Sequence, residues 1–232
     1  MRAFRTLLIA ALAATGLAVV PAEPARAAVT IQPGVFIETT VGLCTANFVY
    51  DGTGSKAGVT YIGTAAHCVD KVGDDVQLAD TGEVFGDVAA FGDADGDSTD
   101  WALIQIRSGF LSRVSAAVKG HPQYPKGVTT YTQTVVGDAV QLSGYGLGFS
   151  TTGATREKRV GTLSFDDREV HGVAAPLIYG DSGGPLVHIP TGRALGLVSR
   201  LCVGTCTEIG PTIEGTLAKA AAKGFTTSVR TV

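Results

Sequence analysis

The sequence predicts an all-β protein of the sandwich or barrel type, closed by one C-terminal helix, on three observations. Apolar runs of roughly four to eight residues, rich in Val, Ile, Thr and Tyr, recur along the chain, as strands do. Clusters of Gly, Asp, Thr and Ser separate them in the manner of turns. After the first 27 residues no repeat, low-complexity tract or polar linker interrupts the pattern, so the runs belong to one unit.

Taken in order, the first element is a secretory leader. In "MRAFRTLLIAALAATGLAVVPAEPARAAVT", Arg2 and Arg5 form a basic start and Thr6 to Val20 is an uncharged apolar run. Ala25-Arg26-Ala27 then offers a small-x-small cleavage site. Spanning a bilayer takes about 20 apolar residues, and Pro21 and Pro24 break the run early. Cleavage after Ala27 is therefore expected in place of anchoring, with residues 28–232 as the mature domain.

The strands follow. "GVFIETT" (34–40) alternates apolar with polar residues, as a half-buried strand does. "TANFVY" (45–50), "VTYIGTAAH" (59–67), "VQLAD" (76–80) and "WALIQI" (101–106) come next. After them stand "AVQLSGYG" (139–146), "RVGTLSF" (159–165), "GPLVHI" (184–189) and "RALGLVSR" (193–200). The helix is "TIEGTLAKAAAKGF" (212–225), where Ile213, Leu217 and Ala221 share one face and Gly224 ends the run.

Charge narrows the partners. The whole chain carries −3, and the leader holds three arginines against one glutamate, so the mature part carries −5. No basic run or basic-aromatic stripe remains, which argues against nucleic acid. No second apolar stretch approaches bilayer length, so stable membrane association is not expected. Cys44, Cys68, Cys202 and Cys206 suit disulfides in an exported protein. Their three possible pairings stay open at this point. Without a C-x-x-C pair or a His-x-x-x-His spacing, a zinc site has no support.

Chemistry concentrates in "LIYGDSGGPLVHIP" (177–190). Gly, Asp and Ser are ordinary turn formers, but six specified residues followed by "PLV" exceed a simple turn. A serine hydroxyl becomes a useful nucleophile only beside a base that is itself oriented. Four histidines are available for that task. His121 ("GHPQYPKG") and His171 ("REVHGVAAP") read as loop residues, and His188 as a solvent-facing or hydrogen-bonded residue on a strand. His67, in "IGTAAHCVD", stands apart because Cys68 can pin its turn. For the carboxylate, Asp93, Asp95 and Asp97 sit in a Gly-rich polar loop, whereas Asp100 opens the apolar strand "WALIQI" at the rim of a core. The Asp93–Asp97 spacing resembles a calcium loop, yet its glycine comes too early and Ile104 stands where the loop's glutamate belongs.

"TAAHC", "DWALI" and "GDSGGP", in that order, resemble the trypsin and chymotrypsin class of serine proteases. "LSGYG" (142–146) and "LGLVSR" are similar to further segments of that class, and the closing helix resembles that of its small secreted bacterial members. The likeness runs from about Val35 to the C-terminus. It implies two six-stranded antiparallel barrels with the site in the cleft between them. It also implies Ser182 as nucleophile, His67 as base and Asp100 as the orienting carboxylate, with the Gly180 and Ser182 N–H groups as the oxyanion hole. Cys44 would pair with Cys68. Ile178 replaces the family cysteine four residues before the nucleophile, so Cys202 would pair locally with Cys206.

Asp181 matches the aspartate that, in animal members, binds a newly released N-terminal ammonium. No such activation sequence precedes the first strand, nor is there room for a long pro-segment, so Arg156, Arg159 or backbone amides are its expected partners. The specificity pocket would be built from Pro176, Leu177, Ser199, Arg200, Leu201 and Gly210. Pro176 stands where trypsin-type members have an aspartate, so apolar residues, not Arg or Lys, are expected before the scissile bond. Glu208 bears on this, since a shift of the Cys202–Cys206 loop would bring its carboxylate to the pocket.

The function expected is secreted endopeptidase action on polypeptides by a monomer, with no metal or cofactor. The alternatives are an inactive relative that binds through its cleft, and an acyl hydrolase. The α/β-hydrolase elbow is not matched, because "GDSGGP" continues into a β-run.

Overall fold

Why each apolar run lies where it does follows from how many of its faces are covered. The structure, a computed structural model, describes residues 28–146 and 158–232. The leader and Arg156 lie outside the described residues.

The first half contains β1 (Phe36–Glu38), β2 (Leu43–Thr45), β3 (Val49–Gly52), β4 (Thr60–Thr64), β5 (Asp75–Leu78), β6 (Glu83–Phe91) and β7 (Ala102–Ile106). The second contains β8 (Ala139–Leu142), β9 (Arg159–Asp166), β10 (Val170–Ala174), β11 (Pro185–His188), β12 (Arg193–Leu197), β13 (Arg200–Leu201) and β14 (Glu208–Pro211). The helix α1 (Ile213–Ala222) and β15 (Thr227–Val229) close the chain. One sheet has the order β15-β3-β4-β7-β6-β5-β1-β2, the other β12-β11-β8-β9-β10-β14-β13.

Among the described residues, all pairings between these strands are antiparallel. The expectation of two antiparallel halves holds, with eight and seven strands in place of six each. Register shifts in β5, β6, β10 and β11 bend the sheets, since a bulge locally increases twist and curvature.

β7 lies between β4 and β6, and four of its five residues are buried, only Gln105 facing out. A central strand covered on both sides reads as a continuous apolar run, which is why "WALIQI" looked unbroken. β1 departs from expectation. Val35, Phe36 and Ile37 are all buried, not alternately exposed. Phe36 stacks on Tyr145 from the second half, with ring centroids 4.0 Å apart, so the face expected to meet water meets an aromatic ring. His171 is also corrected: it lies within β10, fully buried, opposite Asp166 and Gly210. His188 is buried on β11 and hydrogen-bonded to Asp138 and Thr191.

The core forms two clusters, the first reaching from the first half to Val187 of β11, Leu197 of β12 and Ile213 of α1. Ile37, Phe48, Ile62, Leu78, Phe85 and Leu103 belong to the first, and Val140, Leu142, Leu163, Val173 and Leu186 to the second. In α1, the Thr212 side chain accepts from the Gly215 N–H at 2.9 Å, an N-cap. Gly224 follows at φ +86°, the left-handed conformation that glycine adopts without strain. Its buried stripe is Ile213, Thr216 and Ala220, with Leu217 partly covered, whereas Ala221 is exposed. No described helix is long and apolar enough to cross a membrane.

Candidate active site

The site assembles where loops of the two halves meet. His67 lies in a short 3-10 turn (Ala66–Cys68) just after β4, and the Cys44–Cys68 disulfide ties that turn to β2. Cys202 pairs with Cys206, the second expected bridge. Cys44, His67 and Cys68 place ligand-type atoms within 4.8 Å of one another, but the disulfide occupies both sulfurs and leaves no thiolate for a metal.

Asp100 is fully buried two residues before β7, while the His67 side chain is 34% exposed. Asp100 Oδ2 lies 2.7 Å from His67 Nδ1, and Oδ1 accepts from the His67 backbone N–H at 2.8 Å. Ser199 donates its hydroxyl to the same Oδ2. Burial pushes the Asp100 carboxyl up. The hydrogen bond and charge of His67, with the bonds from Ser199 and the His67 amide, outweigh burial and hold it below its ordinary value. This leaves a carboxylate that fixes one imidazole nitrogen and a ring that lines the cleft.

Ser182 sits in the loop 180–184, and long-range bonds hold its backbone. Thr45 does most of this. Its N–H donates to Ser182 O at 2.8 Å and its hydroxyl to Gly180 O at 2.6 Å. Gly183 N–H donates to Val198 O at 2.7 Å. Gly183 has φ +82°, and a Cβ there would come within 2.1 Å of Thr64 Oγ1 and 2.5 Å of Thr45 O, so only glycine fits. Gly180 has φ +96°. Among the described residues, neither the Gly180 nor the Ser182 N–H donates to a protein acceptor, and Ser182 Oγ makes no hydrogen bond to His67.

Asp181 faces the opposite way, into the protein. Arg159, the first residue of β9, donates to both its carboxylate oxygens at 2.5 Å, and both side chains are essentially inaccessible. Gly146 and Ile178 add backbone N–H bonds at 2.8 and 3.0 Å. Of the three expected kinds of partner, Arg159 and backbone amides supply the contacts. The glycines of "LSGYG" are there for this carboxylate: a Cβ on Gly144 would lie 2.3 Å from Asp181 Oδ1.

Two chambers open beside Ser182, and His67, Tyr179 and Ser182 line both. One, of about 360 Å³, is bounded by Val41, Gly42, Leu43 and Gly180. The other, of about 330 Å³, is lined by Leu177, Ile178, Val198, Ser199, Arg200, Leu201 and Glu208. Of the expected pocket residues, Leu177, Ser199, Arg200 and Leu201 are brought together here. Pro176 and Gly210 are not in the lining. Pro176 is exposed and its carbonyl accepts from Arg159. Gly210 is backed by Leu197 O, Ser199 Cβ and Glu208 Oε1, so the space beside it is filled. The expectation of a pocket without a buried carboxylate is corrected, because Glu208 is 1% exposed and reaches the lining from β14.

Sequence reasoning missed Thr45, the Ser199–Asp100 bond, Tyr179 and the wall at Val41–Leu43. "LGLVSR" carried a signal for Ser199, but Thr45 lies in a run with no feature beyond β-propensity.

Two β-halves meeting at a Ser–His–Asp cleft define a chymotrypsin-like architecture. A family model described as a trypsin-like peptidase domain matches residues 44–197, and the chain belongs to that family. Among curated proteins none matches significantly. Solved structures share the fold at low identity. One is a glutamic-acid-specific serine protease described as using a histidine triad in substrate binding, at 22% identity and TM-score 0.60 over 86% of this chain and 100% of that one. Thermobifida fusca protease A matches at 19% and 0.58 over 87% and 99%. Cellulomonas bogoriensis chymotrypsin matches at 20% and 0.55 over 87% and 100%.

Proposed function

We propose that this chain is an exported serine endopeptidase working through an acyl-enzyme. The observation that carries the reading is the 2.7 Å contact of His67 Nδ1 with the buried Asp100 carboxylate, next to a serine in the same cleft. Ser182 would attack the scissile carbonyl while His67 Nε2 takes its proton and later gives it to the leaving amine. Asp100 is the positioning residue that sets the imidazole tautomer and stabilises the imidazolium. The Gly180 and Ser182 N–H groups would receive the oxyanion, donors worth about 3 to 4 kcal/mol each when aimed at developing charge. The Ser182–His67 bond would close as substrate arrives, since such bonds are often open in the free enzyme.

The buried Arg159–Asp181 pair supports a 180–184 loop that is held without an N-terminal ammonium. Export is inferred from the leader-like start together with the two disulfides.

The test is labelling with a fluorophosphonate, followed by turnover of matched peptide and ester substrates. Labelling that disappears in Ser182→Ala, with amide hydrolysis by the parent protein, supports the reading. An unlabelled protein with a bound peptide would mark an inactive binding relative. Ester hydrolysis without amide hydrolysis would mark an acyl hydrolase.

A further inference from the structure

The chamber beside Ser182 combines apolar walls with an acidic floor. Leu177, Ile178, Val198 and Leu201 supply the walls. Glu208 supplies the floor, from the first residue of β14, two residues past Cys206, where the disulfide loop ends. Its Oε1 accepts the Ser199 N–H at 3.1 Å, and its Oε2 lies 3.1 Å from His171 Nε2. A carboxylate has about four acceptor positions, so two contacts leave capacity facing the chamber.

His171 fixes the direction in which this carboxylate points. Both partners are buried, at 0% and 1% side-chain exposure. His171 Nδ1 is buried with no partner among the described residues. The ring therefore meets Glu208 through Nε2, at 3.1 Å, and holds the carboxylate in place. Arg200, the cation in the lining, is turned outward: its guanidinium bonds Ala94 O and Asp95 O and pairs with Asp97 at 3.4 Å. It does not neutralise the floor.

Resting on the protease reading above, we propose that Glu208, oriented by His171 and the Ser199 amide, selects a lysine or arginine side chain before the scissile bond. The apolar walls suit the methylene stem of such a residue and the floor suits its charged end. This reverses the expectation drawn from Pro176, because the carboxylate arrives from β14 and not from the segment preceding Ser182. A glutamate side chain would meet like charge here and be rejected. His171 is shielded behind Glu208 and presents no donor to an acidic substrate.

The experiment compares kcat/KM for matched peptides with Arg, Lys, Leu, Phe and Glu at that position, in the parent protein and in Glu208→Gln. Arg and Lys are expected to exceed Leu by at least about tenfold. Glu208→Gln should reduce the Arg-to-Leu ratio by about tenfold to a hundredfold, the range for losing one charged partner. A parent preference for Leu, Phe or Glu, or an unchanged ratio in the variant, overturns the proposal. If Glu208→Gln does not fold, benzamidine decides. Competitive inhibition of Leu-peptide hydrolysis in the parent protein supports an anionic floor, and no inhibition at millimolar concentration overturns it. Fluorophosphonate labelling separates the two levels. A labelled enzyme with the wrong preference refutes only the pocket assignment, whereas an unlabelled protein refutes the protease reading itself.

Discussion

Ser199, just after β12 in one sheet, donates its hydroxyl to Asp100, just before β7 in the other. One bond thus crosses between the halves at the carboxylate that orients His67. Ser199→Ala should lower kcat by about tenfold and leave fluorophosphonate labelling detectable, since Asp100 keeps both contacts to His67. Removing one donor to a buried charge costs about 1.5 to 3 kcal/mol, so thermal denaturation should show a loss in that range. An unaltered kcat would show that the His67 contacts alone hold the carboxylate.

Acid should expose the same carboxylate. Asp100 is held below its ordinary value near 3.8, so its stabilising contribution is complete above that value and lost as pH falls through the folded-state pKa. Asp100→Asn should therefore be less stable than the parent near pH 7, with the gap closing as pH falls below the ordinary aspartate value of 3.8. Urea midpoints at pH 7, 4 and 2.5 measure this. The variant should also lose about 10⁴ in kcat at neutral pH and recover part of it in alkali, because tautomer control is what the substitution removes.

The Arg159–Asp181 pair has no exposed atoms to rehydrate. Arg159→Met should cost about 3 to 5 kcal/mol, because it strands a buried carboxylate. It should also abolish turnover by releasing the 180–184 loop. Adding Asp181→Asn should restore at least half of the lost stability, as removing both charges of a buried pair does. Melting of the two variants side by side tests this, and a double variant no more stable than the single one would count against it.

Reduction should inactivate the protein through the His67 turn. Replacing Cys44 and Cys68 together by Ala should lower stability by about 3 kcal/mol on chain-entropy grounds and cut kcat, because the bridge closes a 24-residue separation around the base. Replacing Cys202 and Cys206 by Ala should cost about 2 kcal/mol and chiefly change the Arg-to-Leu ratio, since that loop leads into Glu208. Differential scanning calorimetry with the peptide panel distinguishes the two bridges.

The strand-rich architecture, the closing helix and the residues Ser182, His67 and Asp100 were legible in the chain, because β-propensity, turn chemistry and short motifs are local properties. Gly224 ends α1 in the sequence as it does in space. Other features needed the fold. Alternation in "GVFIETT" reports only that a strand has two faces, and whether water or Tyr145 covers Phe36 depends on a residue 109 positions away. His171, in "REVHGVAAP", read as a loop residue, yet β9 and β14 flank it and bury it. Arg159 competed with Arg156 for Asp181 until β9 delivered its guanidinium across 22 residues. Glu208 is the sharpest case. Its chemistry was visible, but the charge of a pocket floor is set by which side chain reaches the cavity, and only the pairing of β13 with β14 brought the carboxylate there. Sequence determined which groups the molecule owns; long-range packing decided which of them meet in a place sheltered enough for their charges to matter.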